Sequence, residues 1–413
     1  MQRGLSAERG WQGRHQDAWA PRPGRERWPV VVPPRERCYE PPSGGGVHLL
    51  FAEGAGTPHL LFVCERHVEP PPAPIVVPIR KVYIVLNSIS VRRVDNGALL
   101  SPLSLTLTID ADSWTWSWSA QLPATEQALV ERGPLDPPVE LEAVVNGWPY
   151  RLLVEKLARE RGFAQQRVRV EGRGLAALLD APHAPVRSFA NTQARTAQQL
   201  MDDVLTVNGV SIGWDVDWRL ADWLVPAGVW AFQGTHVAAL AAIAGAAGGY
   251  LQPHPTARSV RVLHRYPAPP WQWAAAPADV ELPAAVTSRE SIEWIDRPAY
   301  NRVYVCGVGH GVLGQVTRAG TAGDLPAPMV TDALITDAAA ARQRGIAELG
   351  AGGRQALVSL RLPVLPETGL IVPGTMVRYV DGGQVLKGIV RSAQLEVALP
   401  QVRQTIGVET HVA

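Results

Sequence analysis

Cysteine and lysine are scarce in this chain, and long apolar runs are missing from it. Its 413 residues hold only Cys38, Cys64 and Cys306, widely separated, with no CxxC pair and an odd total. That pattern excludes a disulfide scaffold and leaves free thiols as the plain expectation. Lysine occurs only at Lys81, Lys156 and Lys387, so the 39 basic residues are overwhelmingly arginine, which reflects GC-rich coding before phosphate chemistry. The 38 acidic residues reduce the net charge to +1, so no global field draws the chain to nucleic acid or to an anionic membrane. No run reaches the roughly 18 apolar residues that a membrane span needs, and the Arg-rich start lacks the apolar stretch of a signal peptide. A protein made and kept in the cytosol is expected.

Catalytic motifs are also missing. There is no G-x-S-x-G elbow, no H-E-x-x-H and no phosphate-loop GK[ST], which removes the commonest serine hydrolase, zinc hydrolase and ATPase chemistries. Gly309, Gly311 and Gly314 fit G-x-G-x-x-G after a predicted strand. However, the residues that follow continue as strand or loop, whereas pyrophosphate binding needs a helix opening inside the motif. Asp202 and Asp203 are adjacent on a predicted helix and face different directions, which argues against a paired-carboxylate role and for a solvated helix face. Cys38, Cys64, His67 and Cys306 are suitable zinc or iron–sulfur ligands, but only Cys64 and His67 have the close spacing of a ligand pair. Cys38 and Cys64 as reduced neighbours across a small hairpin is the alternative. No catalytic, cofactor-binding or metal-binding residue is therefore assigned.

What the chain does have is apolar surface, 46% of its residues against 19% charged, enough for large cores in two to four domains. Its most informative stretch is residues 103–122. Leu103, Leu105, Leu107 and Ile109 alternate with Ser104, Thr106 and Thr108, as in a half-buried strand. The parity then flips to Trp114, Trp116 and Trp118, so a turn or bulge at residues 110–113 must keep one apolar face inward. The three tryptophans suit a core or subunit interface better than an exposed sugar-binding plane.

Residues 1–80 read as an extension: an Arg/Trp/Pro-rich arm carrying Trp11, Trp19 and Trp28, a small hairpin, and a proline linker ending near Arg80. Residues 81–185 read as an antiparallel barrel, with strands at 82–91, 103–109, 114–122, 139–145, 150–156 and 167–171. Asn146 and Gly147 supply its type I′ turn. Residues 186–291 read as an α/β unit. Thr196 caps a helix with apolar Ala197, Leu200, Met201, Val204 and Leu205, stopped by Asn208 and Gly209, and Thr235 precedes a small-residue helix ended by Gly248 and Gly249. Residues 292–413 read as a second barrel, with strands at 302–307, 357–362, 375–380, 385–390 and 393–397, a turn at residues 381–383, and one helix at 337–349. The expected fold is mainly β, two antiparallel β-barrels flanking an α/β unit.

Several segments carry a family likeness. The runs TLTIDADSWTWSWSAQLP, VELEAVVNGWPYRLLVEKLARERGF and RVRVEGRGLAALLDAP, followed by RTAQQLMDDVL, DWLVPAGVWAFQGT, AGGYLQPHPTARSVRVLHRYP and VPGTMVRYVDGG, together resemble the baseplate or tail-tip hub proteins of tailed bacteriophages. The resemblance covers roughly residues 81–397 and rests on structural motifs. It implies a homotrimer whose paired barrels form a pseudo-sixfold ring joining a sixfold tail tube to a threefold tip. It further implies a non-enzymatic virion protein, assembled in the host cytoplasm without stable membrane insertion. Its partners would be a distal tail or tail-tube protein, the tape-measure protein and central tip or fibre proteins, with DNA present only in transit and no cofactor. A carbohydrate-binding tail protein and a hub carrying a cell-wall hydrolase are the rival expectations.

Overall fold

The computed structural model describes residues 73–133, 136–163, 165–309 and 311–411. The first half of the sheet follows from local alternation. Its strands are β1 (Ile89–Arg93), β2 (Ser104–Asp110), β3 (Ser117–Pro123), β4 (Glu140–Val145), β5 (Trp148–Gly162) and β6 (Gln165–Gly174). The parity flip is absorbed by a turn after Asp110, whose carboxylate accepts from the Asp112 amide at 2.8 Å. Leu107 then faces Trp118, both in the core. Trp116 is buried edge-on to Tyr150 at 5.4 Å, and Trp118 donates its indole N–H to the Leu153 carbonyl at 2.9 Å. Asn146 (φ 51°) and Gly147 (φ 87°) form the tight β4–β5 turn, which needs positive φ at both positions.

The α/β unit contains α1 (Ala197–Val204), β7 (Asp215–Trp218), α2 (His236–Ala246), β8 (Gly249–Pro253) and β9 (Ser259–His264). Thr196 caps α1 in a reciprocal box with Gln199, and Thr235 caps α2. Ala197, Leu200, Met201 and Val204 are buried on one face of α1, the larger ones contributing about 1.5–3 kcal/mol each. The expected stop at Asn208 and Gly209 is corrected. α1 ends at Val204, and those residues, at φ 51° and 80°, instead turn a separate two-residue hairpin.

Strands β10 (Val280–Pro283) and β11 (Arg289–Asp296) return to the main sheet. Next come β12 (Arg302–Cys306), β13 (Leu313–Thr317) and α3 (Ala338–Gly350), with Asp337 accepting from the Ala339 amide at 2.7 Å as its cap. β12 was expected in the second barrel. It lies instead in a separate three-stranded sheet with β13 and Val330–Thr331, whose core of Val303, Val305 and Ile335 packs on α3. A short alternating strand has the same signature in either sheet, which is why the pattern misplaced it.

The chain ends in β14 (Arg354–Pro363), β15 (Met376–Asp381), β16 (Gln384–Ala398) and β17 (Gln401–His411). Residues 385–390 and 393–397, expected as two strands, are the single 15-residue β16, bulged between Val390 and Ser392. This strand joins the two halves. Along one edge its first part pairs with β15 and its last part with β2, while β17 takes the other edge. Among the described residues one 14-stranded sheet results, and one hydrophobic core runs through both halves from Leu107 and Trp118 to Leu360 and Leu395.

Two further expectations change. Of residues 82–91, only the last three enter β1 with its pairing to β4; the Ser88 carbonyl still accepts from the Asn146 amide at 3.0 Å, and residues 82–87 make no backbone hydrogen bond among the described residues, because β4 ends at Val145 in its turn. The extension also ends earlier than Arg80. Ile75–Val76 pairs with β10, and Val77 is buried in the main core at 3% exposure.

Candidate functional surface

The two faces of the main sheet differ in chemistry because its strands alternate in register. One face is the core. On the other, successive cross-strand partners line up in rows that run through both halves. One row is Arg361, Thr405, Gln394, Thr108, Ser117 and Arg173, from β14 to β6. The next is Arg403, Glu396, Thr106, Ser119, Glu171 and Lys156, from β17 to β5. Hydroxyls and amides dominate the middle of this face. A shallow basin of about 440 Å³ opens on it, bounded by Thr106, Ser119, Glu155 and Glu171.

Most charges on this face are neutralised in place. Arg361 holds Glu396 at 2.5 Å, and Glu171 accepts from Lys156 at 3.2 Å and lies 2.7 Å from Arg169 Nε as an ion pair. Arg173 bridges Glu155 at 2.7 Å and Asp180 at 3.0 Å, and His183 lies 3.0 Å from Glu155. Burial pushes the Glu155 carboxyl up, but hydrogen bonds from Arg173 and His183 outweigh it and hold the group below its ordinary range. Arg167 and Arg403 have no carboxylate partner among the described residues. The surface is therefore polar, locally charge-paired and without a dense cationic patch.

A second polar cluster ties the α/β unit to the sheet. Glu409 on β17 accepts from Arg391 Nε at 2.7 Å and from the Tyr266 hydroxyl at 2.8 Å, with His411 Nε2 at 3.0 Å. Arg391 also donates to the Arg265 carbonyl at 2.7 Å and stacks 4.4 Å from the Tyr266 ring. Burial raises the Glu409 carboxyl, yet its partners more than reverse that and bring it to about 2. Glu409, Tyr266, His411 and the Nε and Nη1 of Arg391 are all engaged by protein groups, while Arg391 Nη2 is buried without a partner, so the cluster acts mainly as a fastener.

The sequence candidates do not converge. Gly309, Gly311 and Gly314 lie in and after the β12–β13 turn, and strand follows them, so the helix that a dinucleotide site requires is missing there. Asp202 and Asp203 sit on α1 as read, and Asp203 pairs with Arg195 at 3.0 Å. Cys306 is a half-buried free thiol, while Cys38, Cys64 and His67 lie outside the described residues, as do Trp11, Trp19 and Trp28. No group of three or more His, Cys, Asp or Glu is placed to hold a metal among the described residues. Trp116 and Trp118 are buried, and Trp114 is half-buried with Arg173 5.4 Å from its ring, so no exposed tryptophan plane exists here. No described helix is long and apolar enough to cross a membrane. The polar face itself went unassigned in the sequence. Its signal was the Ser104, Thr106, Thr108 alternation, but the strands that extend it were not deducible.

No protein-family model matches the sequence, and no curated protein matches it. Solved structures do match the fold. The chain is similar to the tail protein from Neisseria meningitidis MC58, with a TM-score of 0.56 and 14% identity over 79% of this chain and 97% of that one. It is likewise similar to the 43 kDa tail protein of prophage MuSo2 from Shewanella oneidensis, with a TM-score of 0.53 and 15% identity over 78% and 98% of the two chains. The mainly β architecture expected from the sequence motifs is thus the fold of phage tail proteins.

Proposed function

We propose that this chain is a structural virion protein, a trimeric hub at the distal end of a phage tail, which adapts a sixfold tail tube to a threefold tip and conducts the genome during ejection. The observation that carries this reading is the fusion of two β-rich halves through the single strand β16, with one polar face common to both. Three such chains present six half-sheets around an axis, which is the number a sixfold tube needs, while keeping a threefold repeat for the tip. The polar face supplies the channel wall. Its hydroxyls, amides and paired charges offer a passing duplex little that releases phosphate counterions, so transit is not opposed by strong binding.

The proposed partners are the tail-tube or distal tail protein on one side, the central tip or fibre on the other, and the tape-measure protein within. The protein performs no catalysis in this reading and needs no cofactor. A carbohydrate-binding role is disfavoured by the burial of Trp116 and Trp118. Light scattering on the full-length chain tests the assembly directly. A mass of three chains, or of a multiple of three, is expected, and a stable dimer contradicts the reading.

A further inference from the structure

A cleft opens where the two halves of the sheet meet the α/β unit. Its first cavity, of about 380 Å³, lies between Trp148 and Tyr150 of β5, the β8–β9 turn at His254, and Leu370 and Val372 ahead of β15. Both the size and the position between packed units are those of ligand sites. The walls are tied to one another: the Arg151 amide donates to the Pro255 carbonyl at 2.8 Å, and Gln252 Nε2 donates to the Pro373 carbonyl at 2.8 Å. A second cavity, of about 530 Å³, shares Gln252, Arg261 and Val372 with the first, so the two form one elongated cleft. Its aromatic wall is fixed in place. Trp148 is 51% exposed, yet its ring is seated against Gly369 (φ 59°), where a Cβ would come within 2.8 Å of the indole. Pro253, Pro255, Leu370 and Val372 complete the apolar lining.

The nitrogens left free on this lining are donors. His254 Nδ1 accepts from the Ala257 amide at 2.8 Å and the Thr256 amide at 3.1 Å, which keeps the ring proton on Nε2. Arg261 lies 3.2 Å from Asp217 through Nε, and its terminal nitrogens make no hydrogen bond among the described residues. The Trp148 indole N–H also has no acceptor among them. The one carboxylate of the first cavity, Asp217, is already held by Arg219 at 2.7 Å as well as by Arg261. Charge balances along the cleft, Arg219 and Arg261 against Asp217 and Asp279. Burial pushes His254 and His264 below the usual imidazole range, which keeps both neutral. The cleft is therefore neutral, aromatic and rich in donors.

Such a cleft suits an uncharged ligand with apolar flanks that offers acceptors without donors. A polyproline II segment has those properties: its rings are apolar, its carbonyls are free of internal hydrogen bonds, and proline carries no N–H. A glycan fits less well, because every hydroxyl brings a donor that needs an acceptor. We infer that the cleft binds a proline-rich segment of a partner protein in polyproline II conformation, with a proline ring on Trp148 and backbone carbonyls accepting from His254 Nε2 and Arg261. Aromatic grooves with well-placed donors recognise such segments in this way, and the preformed helix has little entropy to lose. The described residues hold no run of three prolines, so the segment belongs to another protein. The chain's own run, Pro70 to Pro72, is the rival occupant.

The probe is fluorescein-labelled decaproline, titrated with the full-length chain and followed by anisotropy. It should bind and be displaced by unlabelled decaproline, but not by a Gly-Ser decapeptide or by chitotetraose. Trp148→Ala should weaken it about tenfold or more, as loss of an aromatic anchor does, and leave the cooperative melt unchanged because the residue is half exposed. Arg261→Gln, at a side chain 52% exposed, should weaken it severalfold with the melt again unchanged. No binding at millimolar protein, displacement by the Gly-Ser peptide, or an affinity indifferent to Trp148→Ala overturns the inference. Displacement by chitotetraose at lower concentration than by decaproline also overturns it and makes the cleft a glycan site. A photo-crosslinking p-benzoylphenylalanine in place of Trp148 separates the sources: adducts to added decaproline support a partner, and adducts to residues 1–72 of this chain or of another copy overturn it.

Discussion

Replacing Glu409 with Gln removes the charge at the centre of the cluster joining the α/β unit to the sheet, and the structure sets the size of the effect. The carboxyl drops from 4.5 to about 2 on folding. That difference of 2.5 units corresponds to about 3 kcal/mol of preferential stabilisation of the carboxylate. The same magnitude follows from the pair itself, since deleting one member of a buried ion pair costs about 3–5 kcal/mol. Glu409→Gln should therefore destabilise the protein by about 3 kcal/mol at neutral pH. The sign with pH is fixed by the lowered value. The contribution is complete above the ordinary carboxylate range and fades as pH falls from 4.5 toward 2, so wild type loses it in acid and the variant has none to lose. Urea melts of both proteins at neutral pH and at about pH 3 measure it, and the gap between them should narrow in acid. Glu155 and Asp180 also titrate low, so both proteins keep some acid sensitivity and the difference between them is the readout. A variant within about 1 kcal/mol of wild type at neutral pH, the size of an ordinary substitution, refutes the reasoning.

Trp118→Ala should cost about 3–5 kcal/mol, since it empties the core between the halves and frees the Leu153 carbonyl. Chemical denaturation measures it, and a cost below about 1 kcal/mol would remove the tryptophan from the core. Thr196→Ala should cost about 1 kcal/mol through loss of the α1 capping box, with Thr196→Ser restoring most of it. Truncation to residue 81 should be less stable than truncation to residue 73 by about 2 kcal/mol, because it removes buried Val77 and the Ile75–Val76 pairing. Equal melting temperatures would contradict that. Fluorescence anisotropy with a short duplex at physiological salt should detect no binding, weaker than the roughly 10⁻⁴ to 10⁻⁶ M of non-specific DNA-binding proteins. Micromolar affinity falling steeply with salt would rule out a passive conduit.

What the sequence made legible was local. The Asn146–Gly147 turn, the Thr196 and Thr235 caps and the phase flip before Trp116 are each set by neighbours within a few residues, and the structure has all of them. Strand order was not legible. The pairing of Leu395 with Leu107, which joins the halves, connects residues far apart in the chain, and no turn chemistry marks it. For the same reason the alternation of Val303 and Val305 did not say which sheet it served. β11 went unread because its alternating Ile292 and Trp294 lie between charged neighbours on an uncovered edge, where the usual apolar excess of a strand is missing. The polar face depends on cross-strand register from both halves, so it became visible only with the sheet.

A cryo-electron microscopy reconstruction of the intact tail tip tests the central claim most directly. The account predicts three copies of this chain around the tail axis, six half-sheets in one ring, with Thr106, Ser119 and Gln394 facing the lumen. Another copy number, or a ring with that face turned outward and the α/β unit on the axis, would contradict it.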